Sequence, residues 1–124
     1  MKKLSFLLVL LILSCVSQGD TTKPEDTFPV TVSIHLNGTD SLYFMGQYGN
    51  NTDTNSVSGI IPPGNENYIE YFSSVEDTSD AVFARFQKQQ LAGGLKVSFY
   101  VDDHLEKWDQ TSDSFGIVYF TWKP

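Results

Sequence analysis

The clearest signal in the chain is strict alternation of apolar and polar positions. Phe28, Val30, Val32, Ile34 and Leu36 fall on one side, with Thr31, Ser33 and His35 on the other. A period of two over this length predicts a half-buried β-strand. Asn37, Gly38, Thr39 and Asp40 then supply turn chemistry, Asn-Gly being suited to positive φ. A second strand is predicted over 42–48, where Leu42, Phe44, Gly46 and Tyr48 share a face. Residues 49–56 read as a polar loop. A short strand over 57–61 is stopped by Pro62, Pro63, Gly64 and Asn65, which cannot continue a ladder. The next strand is 68–72, followed by an acidic, hydroxyl-rich loop over 73–80. Val82, Ala84 and Phe86 alternate with Phe83 and Arg85, so 81–87 is predicted as a strand, with a helix over 78–90 as its competitor. After Ala92, Gly93 and Gly94 comes the strongest hairpin signal. Leu95, Val97, Phe99 and Val101 alternate with Lys96, Ser98 and Tyr100, Asp102-Asp103 makes a two-residue turn, and 104–109 returns. Thr111, Ser112 and Asp113 form the last loop before a closing strand over 115–122.

Seven or eight short strands at even spacing, with turn signals between them, predict an all-β fold, an antiparallel immunoglobulin-like β-sandwich. Aromatic residues make up 14% of the chain and nearly all fall in these strands, so they are expected to fill the core between the sheets.

The amino terminus adds an address. Met1-Lys2-Lys3 is positive, residues 4–13 are apolar except for Ser5, and Ser14-Cys15 closes the run. About ten apolar residues fall short of the roughly twenty that span a bilayer, which favours a secretory leader. Ile12, Leu13, Ser14 and Cys15 resemble a lipoprotein cleavage site, with an ordinary leader as the alternative. The expected organisation is a signal peptide over 1–14, a lipidated Cys15 opening a flexible polar tether over 15–26, and one domain over 27–124. Cys15 is the only cysteine, so once it carries lipid no disulfide, thiolate metal ligand or thiol nucleophile remains. The expected location is the cell envelope, outside the cytoplasm, the outer membrane first, with the lipid anchor as the contact to membrane.

The formal charge is −7, and loss of Lys2 and Lys3 with the leader takes it to −9. Such a surface repels phosphates, and no basic run suggests a nucleic acid partner. His35, outward on its strand, and His104, beside a turn, belong to no zinc-binding spacing and read as surface histidines. Asp102, Asp103, Glu106, Asp109 and Asp113 lack the spacing of a calcium loop. Glu76, Asp77 and Asp80 read as a solvated loop. No nucleophile elbow or phosphate loop occurs. The chain is therefore expected to be no enzyme, with no catalytic residue, metal or cofactor nominated. Tyr100 is the best candidate binding residue, because its place in the hairpin can turn it outward.

One further pattern is present. Residues 94–103, Leu105-Glu106-Lys107 and then Thr111-Ser112-Asp113-Ser114-Phe115-Gly116-Ile117-Val118 resemble the closing hairpin and last strand of MmpS-like domains. The resemblance is best over 94–122 and extends to 27–86 only in strand order. It implies a small immunoglobulin-like sandwich on the outer side of a membrane, in a family some of whose members assist lipid or siderophore exporters. Asp103 stands where that turn usually carries Gly, and no functional residue is carried over. Together these features lead to an expectation of a non-catalytic envelope lipoprotein. It would bind a protein partner or stabilise an envelope assembly, or else carry or sense a small apolar or carbohydrate ligand. An aromatic-lined cleft would favour the ligand, and an unpaired long edge strand the partner.

Overall fold

The computed structural model describes residues 28–39, 41–64 and 66–124. The expected leader, Cys15 and the expected tether lie outside the described residues. Eight strands form: β1 (Val30–Gly38), β2 (Leu42–Gly49), β3 (Thr54–Ile61), β4 (Ile69–Val75), β5 (Val82–Lys88), β6 (Leu95–Val101), β7 (His104–Thr111) and β8 (Ile117–Trp122). They make two four-stranded antiparallel sheets. Sheet I has the order β4-β1-β6-β7 and sheet II the order β3-β2-β5-β8.

The fold is an all-β sandwich, as the alternation predicts, and its connectivity adds detail that local sequence does not hold. Each consecutive pair, β1β2, β3β4, β5β6 and β7β8, has one strand in each sheet. The pair β1β2 lies between β3β4 and β5β6 in both layers, and β7β8 closes the far side of β5β6. Only β2–β3 and β6–β7 are hairpins within one sheet, so the chain crosses between layers more often than in an immunoglobulin strand order.

The inward positions of this pattern build the core. Val32, Ile34 and Leu36 of β1, Phe44 of β2, Val82, Ala84 and Phe86 of β5, and Leu95, Val97 and Phe99 of β6 are buried. Phe99 meets Phe120 edge-on across the layers at 4.6 Å, and Tyr71 stacks on Tyr48 at 4.8 Å. Gly46 shares the inward face of β2, and a Cβ there would lie 2.3 Å from the Arg85 carbonyl oxygen and 2.6 Å from the Phe86 ring. Its hydrogen side chain is what admits Phe86 to the core.

Three expectations are corrected. Residues 54–56 and 73–75 are strand, because hydroxyl-rich segments pair with β2 and β1 as readily as apolar ones. The aromatic residues divide: Phe44, Phe86, Phe99 and Phe120 are core, whereas Tyr43, Tyr68, Phe72, Trp108, Phe115 and Tyr119 are exposed. Asp80 is buried. Its Oδ1 accepts from the amides of Asn51 (2.9 Å) and Ala81 (2.8 Å), and its Oδ2 from that of Glu76 (2.9 Å). Burial works against its ionised form, but these three amides outweigh it and hold the carboxyl below its ordinary value.

The edges differ in composition. β7 carries Glu106, Lys107 and Asp109, and Lys107 Nζ donates to the Thr121 carbonyl of β8 at 2.9 Å. On β4, Asn50 Nδ2 donates to the Ser74 carbonyl at 2.7 Å. β3, in contrast, contains no charged residue and no proline.

At the end of β5, Lys88 takes an inward position and is fully buried. Its ammonium donates to the Asp113 carbonyl at 2.7 Å and reaches the Leu91 carbonyl at 3.5 Å, tying the β5–β6 and β7–β8 loops together. Replacing Lys88 with Met keeps the volume and leaves those carbonyls unpaired. Lys88→Met is expected to lower unfolding free energy by about 2–3 kcal/mol in urea titrations, the worth of a hydrogen bond to a buried charge.

Candidate functional site

The outer face of sheet I carries a groove of about 1110 Å³, somewhat above the roughly 300–1,000 Å³ usual for small-ligand sites. Its shape follows from which residues alternate outward. Central strand β1 offers Thr31, Ser33, His35 and Asn37, whose first two side chains are small. Flanking β4 offers Glu70 and Phe72, preceded by Tyr68, and β6 offers Lys96 and Tyr100. The pairing sets Phe72, Ser33 and Tyr100 in one row across the sheet, and Glu70, His35 and Ser98 in the next. Strands lie about 4.8 Å apart, so Phe72 and Tyr100 stand about 10 Å from each other with a serine between them. That is a trough with aromatic walls and a hydroxyl floor.

His35 occupies the centre. Its ring stacks on Tyr68 at 4.3 Å and 12°, and leans on Tyr100 at 4.5 Å and 34°. Nε2 lies 3.0 Å from Glu70 Oε2 and 3.0 Å from Ser33 Oγ. The Ser33 hydroxyl donates to the same Glu70 oxygen. The carboxylate can only accept, so it takes both the Ser33 proton and the Nε2 proton. This hydrogen bond from Ser33, opposed by partial desolvation and aided by His35, holds the Glu70 carboxyl below its ordinary value.

Serine, histidine and glutamate in contact raise the question of nucleophilic catalysis. In such a relay the serine meets one ring nitrogen and the acid orients the ring through the other. Here acid and hydroxyl share Nε2, so the Ser33 proton points at a carboxylate and no ring lone pair awaits it. β1 is also a central strand, and its amides serve its two ladders. The arrangement is that of a fixed polar floor.

The sides complete the groove. Asp102 and Asp103 sit at its end, in the turn predicted for them, with φ of 50° and 65°. Both positive values mark the turn type that matches strand twist. Glu66 lines the side by β4, and Gln110, Thr111 and Ser112 the side by β7. Lys96 lies in the lining, its ammonium 4.7 Å from the Trp108 ring centre.

Tyr100, the tyrosine singled out from the hairpin pattern, thus lies in the groove wall. His35 departs from its reading as a surface histidine. It is outward as predicted but half-buried between two rings. Ser33, Glu70 and Phe72 had no signal of their own, and Tyr68 was one of several strand tyrosines open to an outward place. Ser33 and His35 could be placed on one face by their spacing, whereas Glu70 joins them only through β1–β4 register. His104 and the other acidic residues of the hairpin stay apart from this cluster. Among the described residues, no three His, Cys, Asp or Glu side chains converge as a metal ion would need. No helix of the described residues is long and apolar enough to cross a membrane.

No protein-family model matches the chain, and no curated protein sequence matches it.

Glu70 also makes a prediction about acid. A carboxyl held below its ordinary 4.5 in the folded state contributes stability that is complete above that value and is lost as pH falls through the lower folded one. In urea titrations, the gap between the native chain and Glu70→Gln is expected to stay constant above about pH 5 and to shrink steadily below 4.5.

Proposed function

We propose that this chain is a cell-envelope lipoprotein that holds a carbohydrate ligand, unchanged, on the outer face of sheet I. The observation that carries the reading is the trough itself. Rings of Tyr68, Phe72 and Tyr100 border a floor of Ser33, His35 and Glu70. Sugars present apolar C–H faces that lie on aromatic rings and a rim of hydroxyls that needs donors and acceptors. Asn37, Lys96, Gln110 and Ser112 supply such groups around the same space. The sharing of Nε2 between the Ser33 hydroxyl and the Glu70 carboxylate supports reading the cluster as a fixed binding floor.

The envelope placement is supported by the charge, apolar run and Cys15 of the leader, and by the resemblance of 94–122 to MmpS-like domains. A protein partner is the second reading, favoured by one feature: β3, an eight-residue edge strand without charge or proline, is suited to accepting an added strand.

Two measurements test the proposal. In calorimetric titration with short oligosaccharides, Tyr100→Ala is expected to weaken binding about tenfold, consistent with loss of an aromatic contact worth about 1 kcal/mol or slightly more, while the melting temperature moves little. Absence of any binding across neutral, acidic and amino sugars would refute the ligand reading. Separately, Cys15→Ala is expected to block maturation and move the protein from the membrane fraction to the soluble one.

A further inference from the structure

The charge of the groove is one-sided. Among the described residues Glu66, Glu70, Asp102 and Asp103 line it, against Lys96 as the one lysine or arginine and His35 as the further group able to carry positive charge. The Lys96 ammonium is already engaged over Trp108. The carboxylates are also arranged against rings. Tyr68, Glu70 and Phe72 alternate along one side of the chain, so Glu70 stands between two exposed aromatic residues, each about 7 Å from it along the chain. Ser33 and His35 both meet Oε2, leaving Oε1 free among the described residues. Tyr100 faces this bracket across Ser33.

A neutral hydroxyl placed there gains one hydrogen bond to Oε1. A protonated amine gains a charge-assisted bond to the same oxygen and the attraction of ring faces for a cation. It also sits in the field of Asp102 and Asp103 at the end of the trough. Anionic sugars meet four carboxylates. The ranking amine, then neutral, then acid follows from the lining alone.

We propose that the groove selects saccharides bearing free amines, of the 2-amino sugar type, over their neutral and acylated counterparts. This deepens the carbohydrate reading above and depends on it. Ring stacking holds the sugar, and the Glu70 carboxylate, fixed by Ser33 and His35, holds the ammonium.

The test is calorimetric titration of the full chain in detergent at about pH 6 with three tetramers: β-1,4-linked glucosamine, N-acetylglucosamine and glucose. The glucosamine tetramer is expected to bind about tenfold more tightly than either of the others. Glu70→Gln should reduce that preference to threefold or less, because the loss falls more heavily on the glucosamine tetramer than on the glucose one. Asp102→Asn, in an exposed turn, should reduce it independently, which keeps the test decisive if Glu70→Gln folds poorly. Asp109→Asn, a carboxylate outside the groove, should retain the preference. Equal affinity for all three tetramers, still weakened by Tyr100→Ala, would overturn the amine selectivity and leave the carbohydrate reading standing. No binding of any tetramer would overturn both, and tighter binding of tetralysine than of the glucosamine tetramer would overturn the choice of saccharide.

Discussion

Everything in this molecule depends on the contact between the inward faces of two pleated sheets. Burial of Val32, Ile34, Leu36, Phe44, Phe86 and Phe99 is the dominant favourable contribution available to a domain of this size without a disulfide among its described residues. That contact uses every second residue of the central strands, and the intervening residues are thereby released from packing. On β1 they are Thr31, Ser33, His35 and Asn37, and on β6 Lys96 and Tyr100. The groove is made of side chains that the core does not need. Its walls and floor are fixed all the same, because their Cα positions are set by the ladders beneath them.

Charge is used inside the fold as well as on it. β5 begins just after a buried acid, Asp80, and ends in a buried base, Lys88. Neither is paired with an opposite charge among the described residues. Asp80 collects amide protons from three loop residues, and Lys88 spans carbonyls of two loops. Each satisfies backbone groups that turns leave over, the condition under which a buried ion is tolerable. The two ends of the sandwich are therefore pinned by opposite means.

The fold was legible because its strands alternate strictly, and the failures lie where alternation is written in a different alphabet. Ser73, Ser74 and Val75 continue β4, and Thr54, Asn55 and Ser56 begin β3, yet their hydroxyls and amides resemble loop chemistry. The site was legible only in part. Tyr100 could be set outward from its place in the β6–β7 hairpin. Its neighbours could not be assembled, because His35 meets Glu70 across 35 residues of sequence and Ser33 meets Tyr100 across 67. Register between distant strands is decided by the whole core, and no local window contains it. Asp80 was hidden for the same reason: what buries it is the convergence of two loops.

The four sheet borders carry one more implication. Lys107 reaches from the charged β7 to the Thr121 carbonyl of β8, and Asn50 occupies a carbonyl of β4. β3 and β8 both lack charge and proline, and β3 is the longer by two residues. Such a margin can zip to one twin, antiparallel and about a twofold axis, and is then spent. A pair closed through β3 leaves the shorter β8, already crossed by Lys107, as the next template, so each further lateral step starts from a smaller one.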